Sequence, residues 1–386
     1  MAASFRAFRV VCKVCESDII TSFYLEPVDG APLWPVRPGQ YLTLRMPGDG
    51  TRTLKTYSVS NDVSDGQNHR ITVKREAGRD GAPDGAGSSW LHDQVSVGDE
   101  LDIAAPRGTF HLDEDSRRPV LLLSGGVGLT PLVSMLHTLK GSGRDVYFIH
   151  ACENGAVHAL RDEVRSCTGG SVRALFVYRA PTAGDRSDGR FDAEGMIDKA
   201  FLQKHVPIDD YEAYMCGPAP FMAAMYQLLQ ELGLPKERIA YEFFGKATSL
   251  DAVCAAPSQA PSRTASKAAA PIRALTFLTN PDAWAIDDTA APAAAQASPA
   301  AATGDVTFRR SGTAAQWDGA AGSLLELAEN SGLAPEFSCR AGICSSCKCT
   351  LVSGEVEYFE DPLNLPEAGQ VLICCARPKG AVVLDI

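Results

Sequence analysis

The chain has 386 residues, 45% of them hydrophobic and 22% charged, with a formal net charge of −11 at pH 7. That length accommodates two or three domains, each able to bury its own core. The acid excess excludes bulk neutralisation of phosphates, so no nucleic-acid partner is expected, whereas docking to a basic partner is compatible with it. The first ten residues carry Arg6 and Arg9 but no apolar leader core. No run approaches the ~20 apolar residues of a membrane helix, so the expectation is a soluble, cytoplasmic chain without membrane insertion. Six of the 12 cysteines fall between residues 339 and 375. Without a secretory leader, that crowding points to a metal centre and away from a disulfide framework.

Residues 1–116 alternate apolar and polar positions between Gly, Pro and Asp turns, as in Gln40-Tyr41-Leu42-Thr43-Leu44 and Arg70-Ile71-Thr72-Val73-Lys74. This predicts an antiparallel β-barrel. Residues 117–248 change rhythm. Apolar strands at 120–124, 146–150, 172–178, 211–216 and 238–243 alternate with helical stretches, which predicts a doubly wound parallel α/β sheet. Residues 249–304 hold 20 Ala and 6 Pro, a linker composition that cannot bury a core. An apolar island at 275–278, with Trp284 and Ile286, interrupts it. Residues 305–386 regain a globular pattern, with a strand at 306–309, a helix at 324–330 and further short strands, a compact α+β domain.

Cys339, Cys344 and Cys347 give C-x4-C-x2-C, and Cys374 lies downstream. This is the plant-type spacing for a 2Fe-2S cluster. A structural zinc site is the alternative, but zinc favours paired C-x2-C knuckles and this loop has one. Spacing leaves the fourth ligand open between Cys374 and Cys375. Gly342 permits close backbone approach, and Ser345, Ser346 and amide groups are potential donors to the sulfurs. Cys349 and Cys375 are expected as packed free thiols. Cys12 and Cys15 sit on a predicted strand, where alternation sends their side chains to opposite faces.

In the second domain Gly125, Gly126, Val127, Gly128, Leu129 and Thr130 follow an apolar strand and open a helix, with Thr130 suited to the N-cap and Pro131 to the first helical position. Such a turn suits a pyrophosphate at a helix N-terminus. Cys216-Gly217-Pro218 ends another strand, at the edge where open α/β sheets bind ligands.

The pair G-G-V-G-x-T-P and C-G-P resembles the ferredoxin–NADP reductase superfamily, and over residues 5–246 the chain is similar to the reductase portion of flavohemoglobins without their globin domain. The resemblance implies that Lys55-Thr56-Tyr57-Ser58 is the flavin strand, with Tyr57 against the isoalloxazine and Ser58 near flavin N5. Lys55 replaces the family's arginine, keeping charge for a pyrophosphate but losing bidentate geometry. Tyr41 matches a flavin-contacting position. Gly85, Gly87 and Ser88 match the helix start that takes the FAD pyrophosphate. In Tyr241-Glu242-Phe243-Phe244-Gly245 the aromatic after the glutamate, among Phe243 and Phe244, covers the flavin, and Glu242 sits near the nicotinamide. The resemblance to plant-type ferredoxins implies a β-grasp C-terminal domain with Cys374 as the fourth ligand. Ser58, Cys216 and Glu242 are the expected catalytic positions. NADH is expected over NADPH, although Arg179, just beyond a strand, is placed where a 2′-phosphate could sit.

Chains of this domain order resemble reductase components of multicomponent oxygenases, including Rieske-type ones. Such a chain passes electrons from NAD(P)H through FAD and a 2Fe-2S cluster to a separate acceptor protein. Reductases of hybrid-cluster proteins or desaturases share the order, and a redox-sensing iron–sulfur flavoprotein is the alternative of a different class.

Overall fold

The computed structural model describes residues 5–46, 53–77, 85–244, 305–319, 321–337, 342, 345–359, 362 and 365–386. The expected linker with its apolar island, and Cys339 and Cys344, lie outside the described residues. Two compact units are present, the larger holding most of the barrel and the parallel sheet, the smaller the C-terminal sheet together with Arg45–Thr56.

Six strands form the first sheet: β1 (Arg6–Ser17), β2 (Ile20–Pro27), β3 (Tyr41–Met46), β4 (Thr53–Ser58), β5 (His69–Lys74) and β6 (Glu100–Arg107), in the order β4-β3-β6-β1-β2-β5. A bridge between Val59 and Ile71, with the Ser60 amide donating to the Arg70 carbonyl at 2.9 Å, joins the two ends. The sheet thus closes into a barrel, which removes its edges. Phe8, Val10, Phe23, Leu25, Leu42 and Leu44 alternate along their strands into the barrel core. Register shifts between Val10 and Cys12 and between Cys15 and Ser17 break the pairing of β1 with β2, and both Cys12 and Cys15 are exposed. Between the two shifts the register is regular, with Cys12 opposite Tyr24 and Cys15 opposite Thr21, so alternation still sends the two side chains to opposite faces.

The second sheet contains β7 (Val120–Gly125), β8 (Val146–Cys152), β9 (Val172–Tyr178), β10 (Ala193–Glu194), β11 (Glu212–Cys216) and β12 (Ile239–Glu242), in the order β10-β9-β8-β7-β11-β12. Every pairing is parallel. Alternate strand residues sort onto two cores, as expected when both faces are covered. Val120, Leu122, Val146 and Phe148 pack with the helices Leu129–Leu139 and Arg161–Ser166. Leu121, Leu123, Tyr147 and Ile149 pack with Lys199–His205 and Ala219–Glu231. The chain builds outward from β7 on one side and returns through β11 on the other, so strand order reverses between β7 and β11.

The smaller unit has β13 (Asp305–Phe308), β14 (Thr313–Gln316), β15 (Lys348–Ser353), β16 (Val356–Tyr358), β17 (Gln370–Leu372), β18 (Ala376–Pro378) and β19 (Val382–Leu384). Its mixed sheet runs β14-β13-β19-β15-β17, with β16 and β18 paired separately. The helix Leu324–Asn330 packs on it through Leu324, Leu325, Leu327 and Ala328. Ser323 caps that helix by accepting from the Glu326 amide at 3.2 Å. One helix against a mixed sheet is the β-grasp arrangement.

Barrel and parallel sheet share a face. Ile20, Phe110 and Leu112 enter the same core as the helix Leu129–Leu139. An ionic cluster crosses beside it. The buried Arg70 of β5 donates to both carboxylate oxygens of Glu163, at 2.6 and 2.8 Å, and His137 meets Glu163 at 2.7 Å. Burial alone would raise the Glu163 carboxyl, but the bonds from His137 and Arg70 outweigh it and hold it at about 2. Burial alone would lower His137, but Cys167 and Glu163 lift it to about 9. The Glu163 contribution is present above its ordinary 4.5 and is lost as pH falls through about 2. The His137 contribution is complete below 6.5 and is lost as pH rises through about 9. A raised pKa of this size corresponds to at most about 3 kcal/mol. Between pH 6.5 and 9 the melting temperature is therefore expected to fall more steeply in the native protein than in H137Q. Parallel curves in differential scanning calorimetry would remove His137 from the coupling.

Candidate functional site

The crevice at the strand-order reversal is floored by two backbone turns. From β7 the chain passes through Gly125 into a 3-10 turn, Gly126–Gly128, and directly into the helix Leu129–Leu139. From β11 it passes through Cys216, Gly217 and Pro218 into the helix Ala219–Glu231. At Gly128 a Cβ would fall inside the Cys216 carbonyl and 2.6 Å from the Gly217 nitrogen. At Gly217 it would lie 2.8 Å from the Phe221 ring and 3.0 Å from the Gly125 nitrogen. Only Gly126, at φ +55° with nothing within 4 Å of the Cβ position, faces open space. The glycines therefore divide their work: Gly126 leaves room for a ligand, while Gly125, Gly128 and Gly217 let one turn lie on the other.

The expected cap is corrected. The helix begins at Leu129 with Gly128 at the N-cap and no side-chain cap, and Thr130 Oγ1 donates to the Val127 carbonyl at 3.1 Å. The 3-10 turn already bends the chain into helical geometry, so helix starts earlier than Thr130 and Pro131 suggest. Val127 is half-buried, and Leu129 and Thr130 are buried. Cys216 is fully buried and stands opposite Glu242 in the β11–β12 register. Burial, reinforced by the Glu242 charge, pushes its thiol well above the usual range, so Cys216 is a neutral group. Phe243 packs edge-on against Tyr241 at 5.6 Å, and Phe244 is exposed.

On the barrel side, Lys55 and Thr56 are exposed, Tyr57 is half-buried and Ser58 is buried. Burial pushes the Tyr57 hydroxyl up. Ser58 Oγ has no hydrogen-bond partner among the described residues. A buried hydroxyl left in that state costs about 1–3 kcal/mol, a cost that a polar ligand atom at this position removes. Tyr41 opens β3, buried, with its ring where a side chain at Gly108 would stand, 2.9 Å from the Cβ position. Gly85 is the N-cap of the helix Ala86–Asp93. Ser88 is committed inside the protein: its Oγ donates to the Gly85 carbonyl at 3.1 Å and accepts from the Glu76 amide at 3.0 Å. It ties the helix start to the end of β5. What this start offers an anion is the backbone of Ala86, Gly87 and Ser88, whose amides have no intrahelical acceptor. These features fit FAD and a nicotinamide dinucleotide.

At the ends of β8 and β9, Arg179 donates to both oxygens of Glu153, at 2.6 and 2.5 Å. Sequence reading singled out Arg179 and missed its partner. The available signal was that Glu153 directly follows a strand neighbouring the one before Arg179.

In the smaller unit Cys347, Cys374 and Cys375 are all buried. The Gly342 amide donates to Cys374 Sγ at 3.3 Å, whereas Cys375 Sγ donates to the Leu372 carbonyl at 3.5 Å. Gly342 sits at φ +65°, and a Cβ there would come 2.8 Å from Cys375 Sγ. Ser345 also adopts a left-handed conformation, φ +60°. A thiolate receiving an amide N–H suits a cluster ligand, so the donor set fits a 2Fe-2S cluster at Cys374.

Comparison with known proteins agrees with this geometry. Residues 12–112 match the oxidoreductase FAD-binding domain, 122–227 the oxidoreductase NAD-binding domain and 308–379 the 2Fe-2S iron–sulfur cluster binding domain. Flavohemoproteins of Bacillus thuringiensis and Pseudomonas aeruginosa are each 45% identical over 64% of the chain. The chain spans 62% and 61% of their respective lengths. The flavohem-like FAD/NAD-binding domain of nitric oxide dioxygenase from Vibrio cholerae is 34% identical, with a TM-score of 0.55, over 63% of this chain and all of that one. Phthalate dioxygenase reductase is 26% identical, with a TM-score of 0.53, over 99% of this chain and 98% of that one. Among the described residues no helix is long and apolar enough to cross a membrane.

The contact between the turns is directly testable. G128A is expected to cost about 1–3 kcal/mol through overpacking against backbone and to raise KM for the nicotinamide. An unchanged melting temperature and KM would show that the turns have slack.

Proposed function

The chain belongs to the FAD- and NAD-binding oxidoreductases that carry a 2Fe-2S domain, and from that premise we propose that it is the reductase component of a multicomponent oxygenase. It is an NAD(P)H-dependent FAD/2Fe-2S reductase. The finer reading, an oxygenase as acceptor, is carried by one observation: likeness along 99% of the chain to phthalate dioxygenase reductase, 98% of which it covers. Bound FAD would supply a hydride acceptor for the nicotinamide, and a bound 2Fe-2S cluster a one-electron relay.

The protein's part is placement. Gly125 to Thr130 and Cys216 to Pro218 seat the dinucleotide, with Cys216 and Glu242 beside the nicotinamide. Ser58 offers its buried hydroxyl to flavin N5. Tyr41, Tyr57, Phe243 and Phe244 flank the flavin. Lys55, Thr56 and the helix start at Gly85, Gly87 and Ser88 hold the FAD phosphates. Cys339, Cys344, Cys347 and Cys374 hold the cluster. Residues 1–116 and 117–248 form the reductase, and 249–304 tether the 305–386 domain. In that last domain 11 acids face 6 bases, a balance suited to a basic docking surface on the acceptor.

Two experiments test this reading. C374S is expected to lose the 2Fe-2S absorbance and the reduction of cytochrome c while sparing FAD and ferricyanide reduction, and C375S to keep all four. Equal loss of both acceptor activities in C374S would defeat the serial path. Reconstitution with purified terminal oxygenase components should then give NADH-dependent substrate oxidation with one of them, and transfer to none would defeat the oxygenase reading.

NADH is preferred because Glu153 neutralises Arg179, and a 2′-phosphate would have to displace a carboxylate. E153Q is expected to raise kcat/KM for NADPH relative to NADH by tenfold or more, about 1.4 kcal/mol. A native preference for NADPH above tenfold would refute this assignment.

A further inference from the structure

Beneath the nucleotide-binding sheet surface lies a cluster that the reductase chemistry does not use. His150 and Cys152 occupy β8 two residues apart, on the same face, and His158 follows the turn Gly155–Val157. Their ligand atoms lie within 4.8 Å of one another. His150 is 0%, Cys152 3% and His158 5% exposed. Nε2 of both histidines has no hydrogen-bond partner among the described residues.

The surrounding bonds prepare the imidazoles as ligands. Ser124 Oγ donates to the Ile149 carbonyl, at 3.5 Å, and lies 2.8 Å from His150 Nδ1. With Nδ1 engaged by the serine, Nε2 is the ring nitrogen left for a further ligand. His158 Nδ1 is held by the Tyr178 hydroxyl at 2.8 Å. Metal-binding histidines are oriented in this way by a partner on the second nitrogen.

We propose that His150, Cys152 and His158 form a buried binding site for a single monovalent copper ion, Cu(I). Three considerations select this ion. A thiolate and two imidazoles form a soft donor set. Three donors suffice for trigonal Cu(I), whereas zinc takes a fourth ligand. One thiolate and one Cu(I) sum to zero charge, whereas a divalent ion would leave a buried net positive charge at high cost.

With metal–ligand bonds of about 2.0–2.3 Å, trigonal donors lie roughly 3.5–4 Å apart, so each atom moves well under about 1 Å. The two ring centroids are 4.5 Å apart with planes 32° from parallel, so a ring has to turn about its Cβ–Cγ bond for both lone pairs to face one ion. Access lies on the same side, where a surface cavity of about 360 Å³ is lined by Gly155, Ala156, His158 and Leu160. Binding replaces the S–H bond by a Cu–S bond. The thiol proton, now directed at the Asn154 carbonyl, leaves to solvent, and no electron moves.

The test uses full-length protein loaded with FAD and its 2Fe-2S cluster. One equivalent of Cu(I) is offered without oxygen as the coloured bicinchoninate complex. Native protein is expected to remove one copper per chain while the cluster absorbance stays constant, and the copper K-edge should report one sulfur and two nitrogens. C152A, checked for native FAD content and melting temperature, should bind copper at least tenfold more weakly. Equal copper uptake by both proteins, no uptake by native protein, or a first shell of sulfur alone would overturn the assignment. The edge spectrum of native protein decides the matter even if C152A misfolds.

Discussion

The contact on which the nucleotide-binding half depends is backbone lying on backbone. Where the strand order reverses, the turn after β7 rests on the turn after β11, Gly128 against the Cys216 carbonyl and Gly217 against Gly125, with the Phe221 ring packed beside them. The crevice is thereby floored by peptide groups and by the starts of two helices. Peptide amides and helix N-termini are what an anionic dinucleotide requires. The same contact carries Cys216 into full burial beside Glu242. A low-dielectric neighbourhood with one carboxylate and a neutral thiol results, at a strand end of the kind where open α/β sheets bind ligands.

The barrel meets this half through a shared apolar core and through Arg70, Glu163 and His137. Their coupling is electrostatic and partly desolvated, so it is geometrically demanding: a bidentate guanidinium–carboxylate pair fixes direction as well as distance. Such a lock resists sliding between two domains that must hold a flavin and a nicotinamide in register. The orphaned hydroxyl of Ser58 is the complementary feature. That buried Oγ has no partner among the described residues, and a polar ligand atom there would remove the cost of leaving it so.

In the iron–sulfur domain, backbone conformation again decides chemistry. Adjacent cysteines 374 and 375 lead opposite lives: one sulfur accepts the Gly342 amide, the other donates into the core. The short 3-10 turn at Ile373–Cys375 sends the two side chains in different directions. The left-handed conformation of Gly342 brings its amide to Cys374 without a Cβ striking Cys375.

Sequence by itself determined the three-domain order, the parallel α/β sheet, the barrel and the cluster spacing, because these rest on short-range periodicity and on fixed cysteine intervals. The helix at 324–330 was legible to the residue. Tertiary structure alone decided which glycines serve the ligand and which serve turn-on-turn packing, since that depends on a strand ninety residues away. It moved the helix start ahead of Thr130, and it left both Cys12 and Cys15 exposed. It also decided that Arg179 is neutralised by Glu153, and that His150, Cys152 and His158 meet around unpartnered nitrogens. Neither a pairing across neighbouring strands nor a desolvated cluster leaves a mark in a linear pattern, because both are products of which strands lie side by side.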